Sequence, residues 1–171
     1  WFILGDRVVF LGSGVKDSSV KDVYTVVENR KIKRESRNRR AGQEDYKVFV
    51  NGTETTIGDK YSPAQVNTIL LKSSNKDMNI GYKFLQATTV NLKKEDRTGT
   101  WKDINEGQSA EAVQNTFLSI VQPHDDENST YAYVLYPNRD ENEFSREVAS
   151  DDIKVIENSE TNQVIYDKKN K

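Results

Sequence analysis

Short runs of β-branched and aromatic residues recur along the chain, each closed within a few positions by Gly, Pro, Asn, Asp or Ser. They are Trp1–Leu4, Arg7–Leu11, Val23–Val27, Tyr46–Val50, Thr68–Lys72, Ile80–Leu85, Phe117–Gln122, Tyr131–Tyr136, Ile153–Ile156 and Gln163–Tyr166. Segments this short cannot bury their apolar side chains alone and must pair edge to edge, so the spacing predicts a mainly β chain, an antiparallel sandwich or barrel. The sharpest local signal is Asn51-Gly52 between Tyr46–Val50 and Thr53–Ile57. Both residues accept positive φ, which a two-residue type I′ hairpin turn requires. In Tyr131–Tyr136 the alternation places Tyr131, Tyr133 and Leu135 on one face and Ala132, Val134 and Tyr136 on the other. Apolar residues on both faces mark an interior strand.

Helix is expected only in two short pieces. Ser109–Gln114 has the composition for a turn or two, and Glu141–Val148 carries Phe144 and Val148 one helical turn apart, with Asp140 as N-cap. Neither is long enough to organise the fold. The chain opens on the apolar run Trp1-Phe2-Ile3-Leu4 with no initiator Met, which reads as a cut through a larger fold.

Composition excludes more than it assigns. With 171 residues the chain has the size of one domain, and 25 basic against 27 acidic residues give no field strong enough to hold it on nucleic acid or an anionic membrane. Having no cysteine, it has no disulfides, thiolate metal sites or cysteine nucleophile. No apolar run reaches the roughly 18 residues of a membrane span, and no export signal is recognisable.

Several residues invite a functional reading, and each has a simpler one. The basic run Arg30 to Arg40 holds most of the local positive charge and lacks interleaved aromatics for base stacking, so it reads as a mobile solvated loop between strands. His124 is the only histidine, which removes two-histidine metal sites; it reads as a strand-end residue without a local catalytic partner. The adjacent Asp125, Asp126 and Glu127 lack the spacing of a calcium loop and read as an exposed acidic turn. Gly12-Ser13-Gly14 lacks the Lys-Ser/Thr pair of a phosphate loop and reads as a turn. Asn51-Gly52-Thr53 and Asn128-Ser129-Thr130 match the glycosylation pattern, the first already explained by its hairpin. Trp1, Trp101 and the eight tyrosines could stack on sugar rings, but at strand spacing most belong to a core. No catalytic, cofactor-binding or metal-ligating residue is assigned.

The strings Trp1-Phe2-Ile3-Leu4-Gly5-Asp6, Phe10–Gly14, Val27–Lys31, Asn79-Ile80-Gly81-Tyr82, Gly99–Ser109, Tyr131–Asn138, Ile156–Asn158 and Gln163–Asp167 come in an order that resembles polysaccharide lyase family eight. The likeness is to the β-rich middle region, most closely that of hyaluronate lyases from Gram-positive bacteria; Arg34 to Glu44 does not match. The resemblance implies an antiparallel sandwich that is part of a larger super-sandwich. Residues 1–152 would form the later part of the central domain, and 153–171 its end or the first strand of a C-terminal β-domain. It further implies a secreted or cell-surface parent that cleaves hyaluronan, or chondroitin, by β-elimination. In that reaction an Asn neutralises the uronate carboxylate, a His takes the C5 proton and a Tyr protonates the leaving oxygen, all from an upstream helical toroid. The implied partners of this piece are the polysaccharide and the remainder of the same lyase chain. The piece itself would be scaffold, with a non-catalytic glycosaminoglycan-binding module as the alternative.

Overall fold

The computed structural model describes residues 1–17, 19, 22–32, 46–125, 129–150 and 152–169. Eleven strands are present among them: β1 (Phe2–Leu4), β2 (Arg7–Gly12), β3 (Val23–Ile32), β4 (Tyr46–Val50), β5 (Thr53–Thr55), β6 (Ser62–Ser73), β7 (Ile80–Thr100), β8 (Ala112–His124), β9 (Tyr131–Pro137), β10 (Ile153–Asn158) and β11 (Gln163–Asp167). One α-helix, α1 (Glu141–Ala149), and 3₁₀ turns at Lys76–Met78 and Trp101–Asp103 complete the set. All pairings are antiparallel.

The long hairpin β6–β7 explains how one sheet becomes two layers. The first residues of β7 pair with β9 (Phe84 opposite Tyr133), whereas its far half pairs with β8 (Asn91 opposite Val121). β6 follows the other edge of β7 from Ile80 to Leu92, with a register shift between Val66 and Thr68. A bulge of this kind bends the strand and changes which residues face inward. The inward set accordingly runs Ala64, Val66, then Ile69 and Leu71. One layer is β1-β2-β9-β7-β6-β4-β5, the other β6-β7-β8-β3.

Between the layers lies the principal core: Val27 and Ile32 of β3, Val48, Val66, Ile69, Leu71, Tyr82, Phe84, Val90, Leu92, Leu118, Ile120 and Tyr133. Tyr133 stacks on Phe10 with ring centroids 5.1 Å apart and meets Phe84 at 6.0 Å. A second core lies on the opposite face of the first layer, where Val9, Leu11, Leu70, Ala132, Val134 and Tyr136 are covered by Phe144 of α1 and Ile153 of β10. Strand β9 is therefore buried on both faces, as its double apolar alternation predicts.

The Asn51-Gly52 turn is the expected hairpin, with φ of 49° and 81° and Val50 opposite Thr53. Its second strand ends at Thr55 rather than Ile57. Asn51 also does something the sequence did not announce: its side chain accepts from the amides of Asn67 and Thr68 and donates to the Gln65 carbonyl, binding the open backbone of the β6 bulge.

Helix α1 starts as expected. Asp140 accepts from the Glu143 amide at 2.8 Å and Glu143 returns the bond to the Asp140 amide at 2.9 Å, a reciprocal cap. The other helical expectation is corrected, because β8 begins at Ala112 and its first residues pair with the end of β7. Cross-strand pairing overrides the helix preference of Ala110, Glu111 and Ala112. The basic run is corrected in part: Arg30, Lys31 and Ile32 continue β3, while 33–40 lie outside the described residues.

Hairpin β10–β11 forms a sheet of its own and is clamped to the first layer by charge. The buried Arg7 guanidinium donates to Asp152 at 2.9 Å and Asp167 at 3.1 Å. Asn158 adds bonds to the carbonyls of Gly12 and Tyr131.

Candidate functional site

His124 ends β8, a residue 7% exposed, with its Nε2 2.7 Å from the Thr25 hydroxyl. It packs 6.5 Å from the Tyr131 ring, inside the strand-end packing the sequence assigned to it. Asp125 is exposed, and Asp126, Glu127 and Asn128 lie outside the described residues, so the acidic-turn and second glycosylation readings fall there in part. Among the described residues no group of three or more His, Asp or Glu could hold a metal ion. No described helix is long and apolar enough to cross a membrane.

Arg30 points into the sandwich rather than to solvent. It forms an ion pair with Glu28 and lies 5.0 Å over the Tyr46 ring. Tyr82 donates its hydroxyl to the same Glu28 carboxylate at 2.6 Å. Burial, with Glu28 beside it, pushes the Tyr82 hydroxyl far above the usual tyrosine range. Burial also raises Tyr133, to about 12. Both are neutral core tyrosines. Gly12 ends β2 rather than lying in a turn, its missing side chain making room for the Tyr131 ring, and Gly14 takes φ of 69°.

The chemically interesting surface is the outer face of the β6-β7-β8-β3 layer, which no described element covers. Alternation sends Lys93, Glu95 and Arg97 of β7 outward, beside Val113, Asn115, Phe117 and Ser119 of β8 and Asn29 of β3. Arg97 crosses all three strands. Its guanidinium lies 4.6 Å over Phe117 and donates to Glu95 at 2.9 Å, Asn29 at 3.1 Å and the Ser119 hydroxyl at 2.9 Å. Lys93 lies 5.0 Å over the exposed Tyr61 ring and pairs with Glu95.

Where β7 and β8 leave the sandwich as a two-stranded ribbon, this face opens into a groove of about 290 Å³. Arg97, Gly99, Trp101, Ile104, Val113 and Phe117 line it. Trp101 and Ile104 are 59% and 80% exposed. Of the candidate sugar-stacking residues, Trp1, Trp101, Tyr24, Tyr61 and Tyr166 are exposed, whereas Tyr82, Tyr133 and Tyr136 are core. Sequence reasoning singled out Trp101 but missed Arg97, Lys93 and Phe117; the alternating charges at 93, 95 and 97 were their only signal.

Comparison with known proteins bears on this architecture. Residues 1–148 match the model of the polysaccharide lyase family 8 super-sandwich domain. The chain is 32% identical over 168 residues to a hyaluronate lyase of Staphylococcus aureus, covering 98% of this chain and 19% of that protein. It is 30% identical to a xanthan lyase of a Bacillus species, covering 98% of the chain and 18% of that protein. A solved Paenibacillus xanthan lyase superposes with a TM-score of 0.85 at 26% identity, over 99% of this chain and 16% of that one. The chain thus spans less than a fifth of the length of each of these relatives. A two-layer sandwich of this topology, matched by the family model over most of its length, places the chain in polysaccharide lyase family 8, as its super-sandwich domain.

Proposed function

We propose that the chain is the non-catalytic sandwich of a hyaluronate lyase, supporting one wall of the polysaccharide cleft while the groups that perform β-elimination lie elsewhere in the parent. The observation that carries this reading is the state of the sole histidine. Removing a proton α to a carboxylate needs a base that reaches substrate beside a group that neutralises the developing charge. His124 is instead enclosed at the end of β8 and bonded to Thr25. The hyaluronate lyase relative supports the substrate assignment. A polymeric substrate too large to enter a cell goes with a secreted or surface-exposed parent. The packing of β10–β11 through Arg7 and Ile153 supports reading 153–171 as the end of this unit rather than the start of the next.

The test is enzymatic. The parent should release unsaturated uronate from hyaluronan, followed by ultraviolet absorbance, faster than from chondroitin or xanthan, and the 171-residue chain alone should release none. Absorbance growth with the chain alone would place chemistry in the sandwich and overturn the scaffold reading. The second reading, a glycosaminoglycan-binding module, is favoured specifically by the cation-bearing aromatic face around Arg97 and Phe117.

A further inference from the structure

The ribbon-tip groove combines three features that elsewhere on the described surface occur apart: an open floor, an exposed indole and a fixed cation. The floor is open because Gly99 lies opposite Val113, and a side chain on Gly99 would meet only the Asp103 carboxylate, at 4.0 Å. Trp101 is held in place by its turn. Thr100 and Asp103 cap each other, the Lys102 amide reaches the Ser109 carbonyl at 3.0 Å, and the Asn105 amide reaches the Trp101 carbonyl at 3.0 Å. The backbone that carries the exposed ring is thereby set before any ligand arrives, which lowers the ordering cost of binding.

Arg97 is equally prepared. A guanidinium has five N–H donors. The Arg97 Nε, Nη1 and Nη2 each give one bond, to Glu95, Asn29 and Ser119, which fixes the plane over Phe117 and leaves one N–H on each terminal nitrogen beyond these bonds, in a residue that lines the groove. A guanidinium with N–H groups to spare donates readily to a carboxylate. Ile104 and Val113 add apolar surface to the same lining. The volume is near the lower end for small-molecule sites, roughly 300 Å³, which suits one or two sugar rings rather than a protein segment.

Resting on the reading of the parent as a lyase of acidic polysaccharide, we infer that this groove is a sugar subsite that holds one uronate–N-acetylhexosamine unit of the polymer. The apolar face of a pyranose stacks on Trp101, the acetamido methyl rests against Ile104 and Val113, and the uronate carboxylate meets Arg97. Contact is lost first when either the ring or the cation is removed.

Trp1 and Trp101 are the only tryptophans, so Trp1→Phe leaves Trp101 as sole reporter. Titrating this variant with a hyaluronan hexasaccharide should shift Trp101 emission saturably. Arg97→Met should weaken binding by about tenfold or more, the loss of one charge-assisted contact. A neutral N-acetylglucosamine hexamer should bind at least as weakly as the Arg97→Met variant binds hyaluronan. Unmoved Trp101 emission, or calorimetric affinity for hyaluronan unchanged by Trp101→Ala, overturns the subsite. So does a Trp101 that is quenched by acrylamide in the chain but shielded in the parent, since protein then fills the groove. A parent that degrades hyaluronan while Trp101 ignores the sugar removes only the subsite, whereas a parent inert towards hyaluronan removes the lyase reading.

Discussion

Adding one methyl group at Gly81 should loosen helix α1 from the sheet, and the effect should change sign when the opposing ring is removed. Gly81 is near the start of β7, between Leu70 and Tyr136 on the neighbouring strands, with its open side facing Phe144 of α1. A Cβ built there falls 2.2 Å from Cε2 and 2.4 Å from Cδ2 of Phe144. Carbon atoms in ordinary contact are about 3.5–4.0 Å apart, so ring or helix must retreat by more than about 1 Å. Phe144 is the only fully buried residue of the helix and is wedged edge-on against Tyr136 at 5.7 Å. Overpacking of this kind costs about 1–3 kcal/mol. Working against it, Ala in a strand is favoured over Gly by about 0.5–1 kcal/mol through the unfolded chain. Gly81→Ala should therefore destabilise by about 0.5–2 kcal/mol net in wild type. In a Phe144→Ala background, itself less stable by about 3–5 kcal/mol, the clash is gone and Gly81→Ala should stabilise by about 0.5–1 kcal/mol. Urea denaturation of the four proteins, followed by circular dichroism, measures the cycle. Equal destabilisation by Gly81→Ala in both backgrounds would refute the steric account.

Two other perturbations follow from the geometry. Gly52→Ala, at φ of 81°, should cost about 1–2 kcal/mol in denaturant unfolding, whereas Gly58→Ala, with open space and no positive φ, should change stability by less than about 0.5 kcal/mol; equal effects would discount the type I′ turn. Burial opposes ionisation of Asp152, but bonds from Ser150, Arg7 and Lys169 hold its carboxyl well below the usual carboxylate range. Because its folded value lies below the unfolded value of about 3.9, its stabilisation is present above that pH and is lost as pH falls through the folded value. Asp152→Asn should lower stability at neutral pH and flatten the acid limb of a urea-midpoint-versus-pH curve; an unchanged acid limb would show that the Arg7 clamp does not titrate through this residue.

Sequence reasoning reached the strands whose apolar pattern matches their surroundings. β9 was legible because both faces are buried, and the Asn51-Gly52 turn because only positive φ satisfies it. The far half of β7 was not, since beyond Leu92 it carries Lys93, Lys94, Glu95, Asp96 and Arg97, and past Asp96, opposite the end of the described β3, it runs on with β8 as a two-stranded ribbon. Charged side chains on both faces leave no period-two signal to read. The candidate groove was hidden for the same reason: Arg97 and Phe117 come together only through that pairing. The bulge in β6 was equally silent, because Asn67 differs from its neighbours only in being the residue over which the inward face changes.

The pairing of β2 with β9 has a consequence for how the chain is made. Val8 lies opposite Leu135, so β2 waits for β9, far along the chain, before its second edge is satisfied. The meander from β4 through β7 can close as soon as it leaves the ribosome, since each of its strands pairs with the next or the next but one. Until then β2 has only β1 beside it, with Phe2 opposite Val9, and its other edge, flanked by Val9 and Leu11 on one face and Phe10 on the other, is a template for association with other nascent chains. Distant closures of this kind also slow folding. Val9→Lys, which removes apolar character from that waiting strand, would trade a cleaner nascent chain for a sheet that no longer packs beneath α1.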